Sequence, residues 1–284
     1  MENSLLELKL KVSIKDLNKV LIFISSFDNI SWFKKEKNWE ISIFCNQKKT
    51  LESYKKKLKN IYKINSTINN NLKKKWIDHN QKNQKITKTQ FFQISQGLNK
   101  HLKNNKKYSL TIPASTSFGT GQHESTILTI LAIEKIIKKK NIYSFFDLGA
   151  GTGILSFVVS RLTKSEIFSC DTDALSVENF KENMKKNKLS NCRNFKCYGF
   201  RHNYIRKKSF ELIACNILLK PLIKMANQIS KKLCSRGYLI LSGILNHQIN
   251  FLYSVYYSYN FVMIFKLSLN NWSVIVLRKR KLIL

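Results

Sequence analysis

The sequence predicts an α/β protein in two parts: a small ferredoxin-like α+β domain, then a Rossmann-like domain with a doubly wound, mostly parallel sheet. Three observations carry this expectation. The N-terminal stretch alternates apolar and charged residues with the period of a strand. Strand and helix patterns alternate in order from about residue 91 onward. Five of only nine glycines fall between positions 119 and 153, where a glycine-rich turn would join a strand to a helix.

Residues 1–68 read as one compact unit. Leu6, Leu8, Leu10 and Val12 alternate with Glu7, Lys9 and Lys11, the mark of a half-buried strand. Ser13 is placed to cap a helix with Leu17, Val20, Leu21 and Ile24 on one face. "ISWF" (30–33) and "WEISIFC" (39–45), joined by "KKEKN", form a hairpin. Thr50 caps a second helix with Leu51, Tyr54 and Leu58 inward, and "IYKINSTI" (61–68) closes as a strand. The order βαββαβ is that of a ferredoxin-like fold. Such folds often bind RNA, but the RNA-recognition motif needs a glycine in its basic–aromatic signature, and none precedes Gly97.

Residues 69–90 are polar and lysine-rich, a linker or extended helix in which Trp76 is the one large apolar anchor. The second domain then spans 91–284. "YSFFDLG" is a buried strand ending at Asp147, "ILSFVVSRL" a helix, and "EIFSCD" a strand ending at Asp171. "LSVENFKENMKKN" is an amphipathic helix with Leu175, Phe180 and Met184 as its apolar positions. "FELIACN" is a strand ending at Asn216, Pro221 suits the first turn of the next helix, and "GYLILSG" and "NWSVIVLRK" supply two further strands.

Asp147-Leu-Gly149-Ala-Gly151-Thr-Gly153 is the turn that carries chemistry. Glycines there let backbone and ligand approach closely and leave helix N-terminal amides free. The next strand ends at Asp171, placed to accept hydrogen bonds from a ribose diol. A dinucleotide site wants a glycine where Ile154 stands, so S-adenosylmethionine, which has no pyrophosphate, suits the pattern better. A plain tight turn would need only one glycine.

Composition narrows the rest. The net charge is +33, yet only seven of the 50 basic residues are arginine. Base-reading and phosphate-clamping surfaces favour arginine, so the excess reads first as solvated lysine, concentrated in residues 34–107, and second as attraction toward RNA. The six cysteines form no CxxC pair and no histidines flank them at metal-ligand spacing; Cys170 and Cys215 read as reduced, buried residues. No metal is expected. The N-terminus lacks a signal-peptide core, and a soluble, cytoplasmic monomer is expected.

"FGTGQHEST" (118–126), "FFDLGAGTGILS", "CDTDALSVENFKEN", "ACNILLKPL" and "LSGIL", in this order and spacing, resemble the PrmA family, which methylates large-subunit ribosomal protein L11. The likeness is close over 110–284 and faint over 1–68. It implies a class I S-adenosylmethionine-dependent methyltransferase domain whose substrate is gripped by the N-terminal module. It also implies roles: Thr126 at the methionine end of the cofactor, Gly149 at the site of backbone approach with Gly151 and Gly153 completing the turn, Asp171 at the ribose, and Asn216 beside the reactive methyl, the one catalytic candidate. The first glycine segment would cover the cofactor from the side opposite the second. His123 either ties down its own loop or acts directly.

"GQHEST" departs from a form common in the family, "GTHPTT", at three of six positions, although Thr126 is kept. "NILL" differs from the Asn-Pro-Pro-Tyr motif that sandwiches a flipped base, and Leu218 offers no stacking face. The alternative is a methyltransferase acting on RNA or another ribosome-associated protein, docked through 34–107. A non-catalytic binding module is the third reading.

Overall fold

The computed structural model describes residues 6–24, 27, 30–35, 38–45, 47–69, 86–97, 108–113 and 119–281. It divides into two compact units, Met1–Asn83 and Gln84–Leu284. Trp76 lies outside the described residues.

In the first unit β1 (Leu6–Val12), α1 (Ile14–Phe23), β2 (Ile30–Lys35), β3 (Asn38–Cys45), α2 (Lys48–Tyr62) and β4 (Ser66–Asn69) follow in sequence. The sheet runs β2-β3-β1-β4 with antiparallel neighbours. Alternation does what the pattern requires: Leu6, Leu8, Leu10 and Val12 are buried with Ile41 and Ile43 against Val20, Ile24, Leu51 and Leu58. Each such side chain contributes roughly 1.5–3 kcal/mol by leaving water. Ser13 caps α1, its Oγ accepting from Asp16 N at 3.3 Å. Thr50 does not cap α2. The helix starts three residues earlier than that cap implies, Gln47 is the N-cap, and the Thr50 hydroxyl donates to Gln47 Oε1 at 3.0 Å. Residues 61 and 62 end α2 instead of opening a strand, and the chain turns at Lys63 with φ 56°.

The second unit begins inside the expected linker. β5 (Thr87–Lys88) pairs with β6 (Phe92–Ser95), which runs parallel to β7 (Tyr108–Thr111). Thr89 Oγ1 and Phe91 N both donate to Glu134 Oε1, at 2.5 and 3.1 Å, on α3 (Glu124–Ile137). This fixes the small sheet to the helix that opens the main layer.

That layer continues β8 (Ser144–Leu148), α4 (Ile154–Leu162), β9 (Glu166–Asp171), α5 (Ala174–Lys186), β10 (Cys192–Lys196), α6 (Asn203–Arg206), β11 (Phe210–Asn216), α7 (Leu219–Lys232), β12 (Leu233–Leu245), α8 (Ile249–Tyr257), β13 (Phe261–Leu269) and β14 (Trp272–Lys279). The sheet order is β10-β9-β8-β11-β12-β14-β13. β10 through β12 are mutually parallel, and β14 and β13 close the edge antiparallel. Successive residues feed opposite faces: Phe145, Leu212 and Ile240 pack with α3 and α4, while Phe146, Ile213 and Leu239 pack with α7 and α8. Leu175 departs from expectation. It sits in the first turn of α5 and is 46% exposed, whereas Phe180 is buried.

The strand order reverses direction between β8 and β11. Open α/β sheets form a crevice at such a switch, beyond the carboxyl ends of the strands. Asp147, Asp171 and Asn216 all stand at those ends.

Candidate functional site

The second glycine segment wraps the end of β8. Gly149 N and Ala150 N both donate to the Cys170 carbonyl, at 2.9 and 3.0 Å, and Gly153 N donates to Ala150 O at 2.8 Å. Gly153 caps α4 with φ 88°. A Cβ there would stand 2.5 Å from Phe157 Cζ and 2.6 Å from Phe180 Cδ2. Gly149, with φ 77°, is pressed in the same way: a Cβ would meet Ile217 Cγ2 at 2.5 Å. Protein atoms fill the space beside both glycines, so packing alone demands them, whatever a ligand adds.

Asp171 faces this turn. Its Oδ2 accepts from Gly151 N at 2.9 Å and its Oδ1 from Asp173 N at 3.0 Å. A carboxylate has about four acceptor positions, so each oxygen retains capacity for a further donor such as a ribose hydroxyl. Asp173 caps α5 by accepting from Leu175 N and Ser176 N.

Asp147 lies behind the turn and is fully buried. Its Oδ2 accepts from Ser156 N at 3.1 Å and Ser156 Oγ at 2.8 Å. Its Oδ1 has no partner among the described residues. Burial pushes this carboxyl up to about 7, against the pull of the Ser156 hydrogen bonds, with the Asp171 charge adding a smaller upward push.

The first glycine segment is joined directly to the second. Thr152 Oγ1 donates to Gly119 O at 2.5 Å, and Asn183 Nδ2 steadies the turn from the other side through Thr152 O at 3.1 Å. Downstream, His123 is the N-cap of α3, its Nδ1 accepting from Ser125 N at 3.2 Å. Its ring meets Trp272 edge-on at 4.7 Å. Burial lowers its pKa, opposed by the nearby Glu124 charge, which suits a neutral capping imidazole.

One helical turn later, Thr126 is wholly buried and meets the end of β11. Asn216 Nδ2 donates to Thr126 Oγ1 at 3.2 Å across 90 residues of sequence. Asn216 Oδ1 is buried without a partner among the described residues. Ser242 Oγ, on β12, donates to Ser125 O at 3.1 Å and fixes the same helix start. The next residue, Ile217, packs against two glycines. A Cβ on Gly243 would fall 2.5 Å from Ile217 O, as one on Gly149 would from Ile217 Cγ2.

The structure therefore brings Thr126 and Asn216 together, and separately Gly151 and Asp171, with Gly149 and Gly153 shaping the turn between. Sequence reasoning passed over Asp147 as a functional group, Ser156 and Gly243. The signal for Gly243 was available, since a glycine inside a strand marks close approach of another backbone. These donors and acceptors fit S-adenosylmethionine: a carboxylate for a diol, a glycine turn without a pyrophosphate cradle, and an orphaned carbonyl oxygen for a hydrogen-bond donor. Among the described residues no cluster of three or more metal-ligating side chains occurs, and no helix is long and apolar enough to cross a membrane.

Comparison with known proteins identifies the family. A family model described as "Ribosomal protein L11 methyltransferase (PrmA)" matches residues 11–280. A protein of the same name from Caulobacter sp. strain K31 is 33% identical over 172 residues, 60% of this chain and 59% of that protein. The Agrobacterium fabrum protein of that name is 34% identical over 173 residues, again 60% and 59%. The match thus spans under two thirds of the length of these relatives. The crystal structure of ribosomal protein L11 methylase from Lactobacillus delbrueckii subsp. bulgaricus superposes with a TM-score of 0.63 at 21% identity, over 69% of this chain and 98% of that one, a likeness of fold.

Proposed function

The chain belongs to the PrmA family, and on that premise we propose that it transfers methyl groups from S-adenosylmethionine to amines of ribosomal protein L11, both lysine side chains and the N-terminal amine. The observation that carries this reading is Asn216 at the switch between β8 and β11: its Nδ2 is held by Thr126 while its Oδ1 is buried without a partner among the described residues. Bound beside it, the cofactor would supply a sulfonium-activated methyl group. Asn216 Oδ1 accepts a hydrogen bond from the incoming amine and so orients its lone pair. Thr126 holds the Asn216 amide and flanks the methionine end. Asp171 takes the ribose diol. Gly149, Gly151 and Gly153 form the turn against which the cofactor lies.

An amine acceptor must arrive unprotonated, and a lysine normally titrates near ~10.4. The buried surroundings of Asn216 disfavour an ammonium, which helps without a dedicated base. In-line positioning of the two reactants can supply roughly 7–11 kcal/mol at best.

The first unit is read as a ferredoxin-like module (1–68) that grips the substrate, joined by 69–90 to the catalytic domain (91–284). Its β2-β3-β1-β4 order and two helices support that reading. The test is transfer of labelled methyl from S-adenosylmethionine to purified L11, with total RNA and the other ribosomal proteins as parallel acceptors. Label confined to L11 is expected. Label in RNA with L11 unmarked would sink the proposal.

A further inference from the structure

Ten cations stand against one acid, Glu211, between residues 193 and 232. Three of the chain's seven arginines, Arg193, Arg201 and Arg206, fall within that stretch. A solvent-open cleft of about 560 Å³ is cut here, lined by Phe200, Arg201, Arg206, Gln228, Lys231 and Lys232. None of these belongs to the glycine turn, Asp171, Thr126 or Asn216.

The cleft has a built wall. Lys232 Nζ donates to the carbonyls of Ile205 at 3.4 Å, Lys208 at 3.3 Å and Arg206. It thereby clamps α6 against the end of α7. Its ammonium is committed to backbone, which leaves Arg201, Arg206 and Lys231, all exposed, as the groups free to meet an anion. Aromatic rings lie on the segment that carries the two arginines. Phe195 stacks on His202 with centroids 4.0 Å apart, and His202 lies near-parallel to Tyr204 at 5.6 Å. Tyr204 is 66% exposed. The Arg201 guanidinium sits over the ring of Tyr198, itself 43% exposed.

We propose that this cleft and its ring stack, Tyr204 outermost, dock a single-stranded RNA segment. Cationic grooves with exposed aromatic platforms are how sequence-tolerant single-strand binders hold backbone and bases together. Arginine forks match phosphate geometry where lysine supplies only a point charge. An acidic protein surface would use the charge but leave the stacked rings without a role. RNA held here is a docking partner, and the methyl acceptor is unaffected by whether the proposal holds.

The experiment is fluorescence anisotropy of a short labelled single-stranded RNA with the full chain, across a salt series. The triple variant Arg201→Ala/Arg206→Ala/Lys231→Ala should lose at least about tenfold in affinity and lower the log–log salt slope by about two, at about 0.7 per lost phosphate contact. A control triple on exposed residues of α2, Lys55→Ala/Lys56→Ala/Lys59→Ala, should change affinity less than about threefold if α2 stays outside the contact. Tyr204→Ala should weaken binding while leaving the slope unchanged. Photo-crosslinking of thiouridine RNA to the unaltered chain, which needs no variant to fold, should map to residues 195–208. Equal losses from the two triples, or crosslinks confined to 34–107, would overturn the proposal. So would displacement of the RNA by polyglutamate as effectively as by unlabelled RNA, which would point to an acidic protein partner.

Discussion

The two compact units make their turns with different residues. The first contains no glycine at all, and where α2 must reverse into β4 it uses Lys63 at φ 56°. The second carries five positive-φ glycines between 119 and 153 alone. The difference lies in what surrounds each turn. Lys63 is exposed, so a left-handed lysine costs about 1–2 kcal/mol and collides with nothing. Gly149 and Gly153 are pressed against Ile217, Phe157 and Phe180, where any Cβ would collide. A lysine-rich chain can place lysine in a left-handed turn at its surface. It needs glycine where a turn is also a packing surface.

The comparison can be strained most by removing the first unit. Deleting residues 1–83 should leave S-adenosylmethionine binding within about twofold, because both cores around the main sheet belong to the second unit. Transfer to L11 should fall by at least about 100-fold, the scale on which misplacing a substrate counts. Undiminished transfer would deny the module its role.

A second test uses Asp147. Its folded pKa of about 7 exceeds the unfolded value, so its contribution to stability is fully present below about pH 4 and is lost as pH rises toward and through 7. The loss amounts to up to about 4 kcal/mol at 1.36 per unit. Asp147→Asn should flatten this part of the stability–pH curve, measured by denaturant melts between pH 4 and 8. A curve as steep as that of the unaltered chain would contradict the assignment.

Gly149→Ala should cost about 3 kcal/mol, combining a left-handed alanine with a collision at Ile217. Asp171→Ala should weaken cofactor binding by roughly 1–3 kcal/mol through lost charge-assisted hydrogen bonds, read by calorimetry. Unaltered affinity would remove the ribose from that carboxylate. The smallest effect belongs to the first unit: Lys63→Gly should stabilise by about 0.5–1 kcal/mol, the left-handed penalty relieved less the entropy cost of glycine. A loss as large as at position 149 would end the contrast between the units.

Much of the second unit was legible in sequence because buried parallel strands are short apolar runs. Glu166–Asp171, Phe210–Asn216 and the helix Ile154–Leu162 were read at their observed bounds. β13 was not, because it alternates weakly. Ile264 and Leu269 remain 47% and 39% exposed on this edge strand, so apolar character and burial part company. Thr50 was misread because propensity favours threonine over glutamine as a cap, while α2 begins at Lys48 behind Gln47. At the site, the glycine turn and Asp171 could be found as local patterns. The contact of Thr126 with Asn216 could not, since it spans 90 residues and neither side chain announces the other. Nor could the grip of Gly149 and Gly243 on Ile217, which depends on β8, β11 and β12 lying side by side.

That grip bears on the protein's heat tolerance. Ile217 is the chain neighbour of Asn216, whose carbonyl oxygen meets no donor among the described residues. A buried hydrogen bond left unmade costs about 1–3 kcal/mol. Selection for melting temperature alone would favour an apolar side chain at position 216. Under the proposed function, that unmade bond is a stability cost carried by the atom assigned to the arriving amine.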